Sequence, residues 1–382
     1  MSRCLQFSIT HVDYKRKDPV FWIDVDTTIT KFKQKQKRIP RYYSELQKLH
    51  SQLVSTLDDV WIPALPACPI PRFDKGGNLL PRQWWLTIKL SNESKDITVE
   101  RSDPPEYRVQ LWMNRIAKHE RVQQSEILRE FVESEVGFRP TLRVHKLSKP
   151  LLTYVSEQDM DPEFTFWTNQ LSIVLHQLHQ WLIQNNKFVQ EHKAMSDGWI
   201  NLSSSFVSFG AIERNPGLFI SYKSLAKAYQ QLYDIQRSQA LVVYETVISE
   251  ISCQIKNTEA AQNAMQRRLI ALSEYISSRK HTESCLRQVE RLKSSINIDR
   301  ERANEAITLL ENAKINERGS LQHYERIDGH LREDIEFRYK PNLSKDIKRA
   351  LREYATGQLY LEKKKLMIWQ ELLNENKAIA LL

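Results

Sequence analysis

Glycine and proline thin out abruptly partway along this 382-residue chain. Thirteen of its 14 prolines lie at or before Pro216, and beyond Gly217 only Pro341, Gly319, Gly329 and Gly357 remain. A run that long, rich in Leu, Glu, Lys, Arg, Gln and Ala and nearly free of breakers, predicts very long helices. The front part, with its proline runs and short β-branched segments, predicts a compact domain. At 41% hydrophobic residues there is enough apolar material for packed cores in two or three domains.

Cys4, Cys68, Cys253 and Cys285 are far apart and form no C-x-x-C pair. Neither a zinc site nor a disulfide framework is expected, and a reducing setting is. The histidines are scattered, and the chain has no glycine-rich phosphate loop and no G-x-S-x-G. The expectation is a protein that is not an enzyme and needs no cofactor or metal. The start, MSRCLQFSITHVDYK, has no apolar signal region, and the greasiest run, LSIVLHQLHQWLI, is interrupted by His and Gln well short of a spanning length. Any membrane contact is therefore expected to be peripheral. The net charge of +9 favours an anionic partner, phospholipid head groups or nucleic acid, and composition does not choose between them.

In the front part, residues 5–14, 20–30 and 31–43 read as three strands. SELQKLHSQLVSTL (44–57) switches to helical spacing, with Leu46, Leu49 and Leu53 on one face. Pro63, Pro66, Pro69 and Pro71 form a proline ladder, expected to be extended, and 107–119 and 125–134 supply two amphipathic helices. Lys31, Lys33, Lys35 and Lys37 would share one face of a strand, as a solvated edge or a lipid-facing stripe. Trp84-Trp85 reads as a packed pair or a bilayer contact.

After a linker at 141–162 that ends in an N-cap, Phe164, Trp167, Leu171, Val174, Leu178, Trp181 and Phe188 mark a heptad seam. Glu213 to Gly217 breaks this helix, and a second seam runs from Leu218 through Met265 and Leu269 to Leu286 and Val289. A third starts at Ile307 and Leu310 and passes Leu351 and Tyr354. A turn at Ser294 to Arg300 leaves two helices of roughly 75–80 residues, each ~110–120 Å long if straight. Rods of that length cannot close a globule alone, so pairing is expected, with Pro341 as a kink.

The element order, together with RYYSELQKLHSQL (41–53), PALP (63–66) and LREFVES (128–134), resembles a PX domain over nearly all of residues 1–140. With the helical stretch behind it, and the closing DIKRALREYATGQLYLEKKKLMIWQELL (346–373), the whole chain resembles a PX-BAR sorting nexin. Residues 267–307 resemble the fungal retromer subunits of that family. The resemblance implies an α+β PX domain, a three-stranded antiparallel sheet plus helices, at 1–140. An all-α three-helix coiled-coil BAR domain would follow at 163–382. It also implies a membrane coat on endosomes, cytoplasmic and peripheral, that acts in endosome-to-Golgi retrieval. The implied partners are a second PX-BAR sorting nexin in a heterodimer, the retromer cargo-binding trimer and a phosphoinositide-containing membrane, with no nucleic acid.

For the lipid pocket the resemblance implies Arg41, Tyr43, Arg72 or Lys75, and Arg108. Guanidinium forks would grip phosphate oxygens in pairs while an aromatic face covers the inositol ring. Tyr42 stands where the family's phosphate-gripping arginine belongs, so two readings stay open. The pocket binds a 3-phosphoinositide, or it is a weakened pocket used for docking or orientation. Two basic clusters suit a membrane-facing surface or a solvated helix face: Arg338, Lys340, Lys345, Lys348, Arg349 and Arg352, and, at the arm tip, Arg287, Arg291, Lys293, Arg300 and Arg302. Two rivals remain, a homodimeric curvature-sensing nexin outside retromer and a basic coiled coil that binds nucleic acid. The second leaves PALP and RYYSEL unexplained.

Overall fold

The computed structural model describes residues 5–74, 76–87, 103–140, 161–294 and 300–379. Three antiparallel strands in the order β1-β2-β3 open the chain: β1 (Leu5–Asp13), β2 (Val20–Thr27) and β3 (Gln36–Tyr42). Alternation sends Leu5 and Phe7 inward, and an irregularity between Ile9 and His11 resets the phase so that Val12 also points in. The outer edge of β1 is covered by side-chain amides: Gln110 donates to Phe7 O and accepts from Ile9 N, and Asn114 accepts from Phe7 N.

The lysine-rich run at 31–35 does not form a strand. Phe32 turns into the core, Lys31 pairs with Glu126 at 2.6 Å, and Lys37 donates to Glu133 O at 2.8 Å. These ties bend the segment, so the four ammonium groups share no face.

Four helices pack on the sheet: α1 (Tyr43–Thr56), α2 (Tyr107–Ala117), α3 (Glu120–Gln123) and α4 (Glu126–Glu133). Their inward residues, among them Leu46, Leu49, Leu53, Trp112 and Phe131, join Phe21 and Ile23 in one core. Five long helices follow: α5 (Pro162–Ile212), α6 (Pro216–Val243), α7 (Ser249–Lys293), α8 (Arg300–Glu333) and α9 (Lys340–Ile379). Asp161 caps α5 by accepting from Glu163 N and Phe164 N, and Asn215 caps α6 with Pro216 at its first position. The expected turn between the second and third rods falls after Lys293, and its residues 295–299 lie outside the described ones.

A π-helical turn, Tyr244–Ile248, joins α6 to α7, and another, Asp334–Tyr339, joins α8 to α9. The second lies just ahead of Pro341, which has no N–H to donate and whose ring would crowd the carbonyl one turn back in a regular helix. A widened turn removes that conflict, so the helix continues through the proline.

Contacts group the chain into two bodies. The first contains residues 1–68, 108–175 and 256–341; the second contains 69–107, 176–255 and 342–382. In the first, Arg268 takes the centre of the α7 face that Leu269 was expected to hold. Its buried guanidinium lies 3.6 Å over the Phe164 ring and 2.5 Å from Asp328 Oδ1. In the second, the α5 seam passes through Val189, 6% exposed, instead of Phe188, 38% exposed. Leu218, Leu286, Ile307 and Leu351, expected on seams, are exposed.

Candidate membrane-binding site

The RYYSEL segment sits where β3 runs into α1. Arg41 is only 1% exposed, and its guanidinium donates to the carbonyls of Phe131, at 3.1 and 2.6 Å, and Ser134, at 2.5 Å. Glu45 accepts from Tyr42 N at 2.8 Å and also from Phe138 N. Together these two side chains staple the start of α1 to the chain leaving α4. Strand alternation points Arg41 into the core, so it is a fold residue and does not face a ligand.

Tyr42 is outside, its hydroxyl accepting from Arg16 Nη1 at 2.8 Å. Tyr43 donates its hydroxyl to Pro66 O at 2.6 Å, tying α1 to the PALP segment. Burial, with a smaller contribution from Cys68, pushes the Tyr43 phenol up to about 12. Arg108 is half-buried on α2, and Lys75 lies outside the described residues. Arg72 belongs to the second body, where it pairs with Glu245 at 2.9 Å and stacks 5.0 Å from the Trp84 ring.

Beyond the proline ladder, Arg72 to Leu80 closes a small hairpin through Leu80 N to Arg72 O and Asp74 N to Asn78 O, with Gly77 at φ +80 in its turn. Ile70, at 84%, and Phe73 and Leu79 are exposed there. Sequence reading missed this apolar tip, although D-K-G-G-N between Phe73 and Leu79 is a hairpin signal.

The segment between α1 and the ladder, also missed, docks on α7 and α8 within the first body. Trp61 N donates to the buried Asp334 at 2.8 Å, Ala64 N donates to Asn257 Oδ1 at 2.9 Å, and Arg267 donates to the carbonyls of Asp58 and Val60. Asp59, its side chain fully buried, receives Arg121 at 2.9 Å, His330 at 2.8 Å and Arg326 at 3.7 Å. Burial pushes its carboxyl up, but the His330 hydrogen bond and the Arg121 and Arg326 charges outweigh that and hold it below the usual aspartate value of 3.8. A depressed folded pKa contributes stability above the unfolded value that is lost as pH falls through the folded one. Exchange protection at residues 58–64, corrected for intrinsic rates, is expected to hold from neutral pH to about 4 and to fall below that; Asp59→Asn should flatten this acid limb.

The basic clusters divide. Arg338 is paired with Asp334, and Lys340 with Glu336 beside the Trp167 ring. Arg349 is half-buried among Asp346, Glu250 and Glu353. Those three serve the helix packing, because each answers a carboxylate of its own body. Lys345, Lys348 and Arg352 are exposed on α9, Arg291 and Lys293 at the end of α7, and Arg302 at the start of α8. The side chain of Arg300 lies outside the described residues.

Residues 29–135 match the family described as PX domain. Vacuolar protein sorting-associated protein 17 of Schizosaccharomyces pombe is 22% identical over 93% of this chain and 62% of its own length. The Saccharomyces cerevisiae protein of that name is 21% identical over 94% and 61%. The chain thus spans about three fifths of these relatives. A solved structure, the SNX-BAR Mvp1 tetramer, aligns over 96% of this chain and 99% of that one with a TM-score of 0.58 at 13% identity.

The chain shares the fold of that SNX-BAR structure.

Its BAR-type helices expose two apolar stripes in the second body. On α5, Phe188, Met195, Leu202 and Phe209 follow one another every seven residues, and on α9 so do Leu359, Leu366 and Leu373. The first continues the Trp167, Val174 and Trp181 positions. A helix of 3.6 residues per turn drifts about 20° per heptad against a strict seven-residue repeat, so a line that starts buried rotates into solvent. Among the described residues, no helix is long and apolar enough to cross a membrane.

Proposed function

We propose that the chain is a non-enzymatic coat subunit of the retromer sorting-nexin dimer. It lies peripherally on the cytoplasmic side of endosomal membranes and curves them during endosome-to-Golgi retrieval of vacuolar sorting receptors. Its partners are a second PX-BAR nexin and the retromer cargo-binding trimer. The PX domain takes residues 1–140 and the BAR domain 163–382, joined by a linker at 141–162. The observation that carries this reading is the pair of exposed heptad stripes on α5 and α9 in a chain of PX-BAR architecture. Contiguous apolar surface of that kind is buried against another protein or a membrane, and seven-residue spacing fits another helix. The likeness to the two yeast proteins supports the retromer assignment.

Native mass spectrometry tests the pairing. The chain alone should give a weak or unstable dimer and should form a heterodimer when mixed with a second retromer nexin. A homodimer that resists exchange would favour the reading outside retromer. Flotation on liposomes of endosomal composition, set against a salt-titrated DNA shift, separates the coat from a nucleic-acid-binding coiled coil.

Lys345, Lys348, Arg352, Arg291, Lys293, Arg300 and Arg302 are the proposed membrane contacts, each worth ~1 kcal/mol near an anionic surface. The pocket is the weakened kind. Arg41 is committed to carbonyls and Tyr42 offers no charge, which leaves Tyr43, Lys75 and Arg108. Tyr42→Arg in the full chain should raise binding to phosphatidylinositol 3-phosphate liposomes, relative to liposomes of equal charge without it, at least about tenfold, the scale of one charge-assisted bidentate contact. Strong binding by the parent, unchanged by the substitution, would show that the pocket is intact.

A further inference from the structure

We propose that residues 69–74, 76–87 and 103–107, which lie inside the PX match, act as a strap of the helical second body. An indole anchor, Trp85, sits in a glycine notch and sets the separation of α6 and α9, and with it the presentation of the α9 leucine stripe. The link to pairing rests on the function proposed above; the strap itself does not.

Trp85 is 1% exposed and packs in one cluster with Leu232 and Val242 of α6 and Leu361 of α9. Opposite it stands Gly357. A Cβ there would lie 2.8 Å from Val242 Cγ1 and 2.9 Å from Trp85 Nε1, closer than carbon tolerates. The glycine is therefore needed for close approach, since nothing in a helical backbone requires it. Val242 of α6 and the seated indole impose this on α9 together.

Polar ties pin the segment on either side of the anchor. Arg82 pairs with Glu353 of α9 at 2.5 Å, and Arg349 reaches the Tyr107 hydroxyl at 3.3 Å. Arg72 pairs with Glu245, which lies in the π-helical turn that ends α6. The strap thus holds one helix at its irregular turn and the other at its notch. Leu359, the first residue of the α9 stripe, is two positions beyond Gly357 and faces the other way. Whatever moves the notch face of α9 also moves the stripe.

The test uses the full chain carrying Trp85→Ala, Gly357→Ala or both. Hydrogen exchange across 350–372 and 225–243 reads the helix pair, and 20–27 of the sheet serves as the folding control. Each single substitution should speed exchange in α9 at least about tenfold, one by leaving a cavity and the other by displacing the indole. The double variant should fall clearly short of the sum of the two single effects, because the vacated space relieves the methyl's contact with the indole and leaves only that with Val242, a coupling that unrelated defects would not show. Millimolar indole should slow exchange in Trp85→Ala and leave the parent unchanged. Additive effects, or unaltered exchange in both single variants, would overturn the strap. Sedimentation of the same proteins mixed with a second PX-BAR nexin reads pairing, which Trp85→Ala should weaken at least about tenfold; an unchanged association constant would overturn the link to the stripe. If the parent does not pair with that nexin at any concentration, the pairing reading fails, and exchange and indole still decide the strap.

Discussion

Asp334→Ala should release the segment at 58–64 from α7 and α8 at a cost of about 3–5 kcal/mol, the penalty for removing one partner of a buried ionic network. The Asp334 carboxylate is fully buried. It receives Trp61 N at 2.8 Å and His119 Nε2 at 3.0 Å, and pairs with Arg338. Without it a buried imidazole and a buried peptide N–H lose their acceptor and cannot reach water unless the seam opens, while the partly exposed Arg338 guanidinium loses its partner. The readout is local. Exchange at Trp61 and Ala64 should rise by two orders of magnitude or more, with the β-sheet untouched. Unchanged protection would mean that Arg267 and Asn257 hold the segment without the carboxylate. Because the two bodies can unfold separately, a single melting temperature would be the wrong measure.

Leu202→Asp combined with Leu366→Asp should abolish pairing with a second nexin, raising the dissociation constant at least about a hundredfold. Each substitution places a carboxylate where the partner helix would have to desolvate it without a counter-charge. Both positions are exposed in the single chain, so neither should disturb the fold. Association at parental strength would locate the partner on another face. On liposomes the same double variant should lose tubulation while keeping residual recruitment, because Lys345, Lys348 and Arg352 are left in place.

Much of the architecture is legible locally. Asp161 and Asn215 as caps, Pro216 at a first helical position and the turn after Lys293 each follow from a few neighbouring residues. What eludes a linear reading depends on distant partners. Arg41 looks like a ligand-gripping residue until the carbonyls it caps, 90 and 93 positions away, are brought to it. The lysines at 31–35 alternate like a strand, but Phe32 and Glu126 bend them into a turn. Phe188 yields its seam position to Val189 because a seven-residue count outruns a 3.6-residue turn. Asp58-Asp59-Val60-Trp61 reads as a connector, and nothing nearby in the chain announces that α7 and α8 will supply its acceptors and donors. For the pocket, Tyr42 at the arginine position is a departure visible in the residues themselves.

The two π-helical turns have a consequence for how such a chain can change over generations. Each is a regular helix carrying one surplus residue, so losing a single codon within Asp334–Tyr339 would leave continuous α-helix and would look harmless on paper. The faces downstream would stay in place, because the widened turn takes up its extra residue within itself, whereas the same loss between Lys340 and Gly357 would swing the rest of the rod by about 100°, turning the buried Leu361 and Ile368 outward and stranding Gly357 opposite open solvent. Lineages should therefore tolerate a one-residue length change in these turns far better than in the regular helix that follows them. Where an indel does survive, a compensating one ought to be found farther along the same rod.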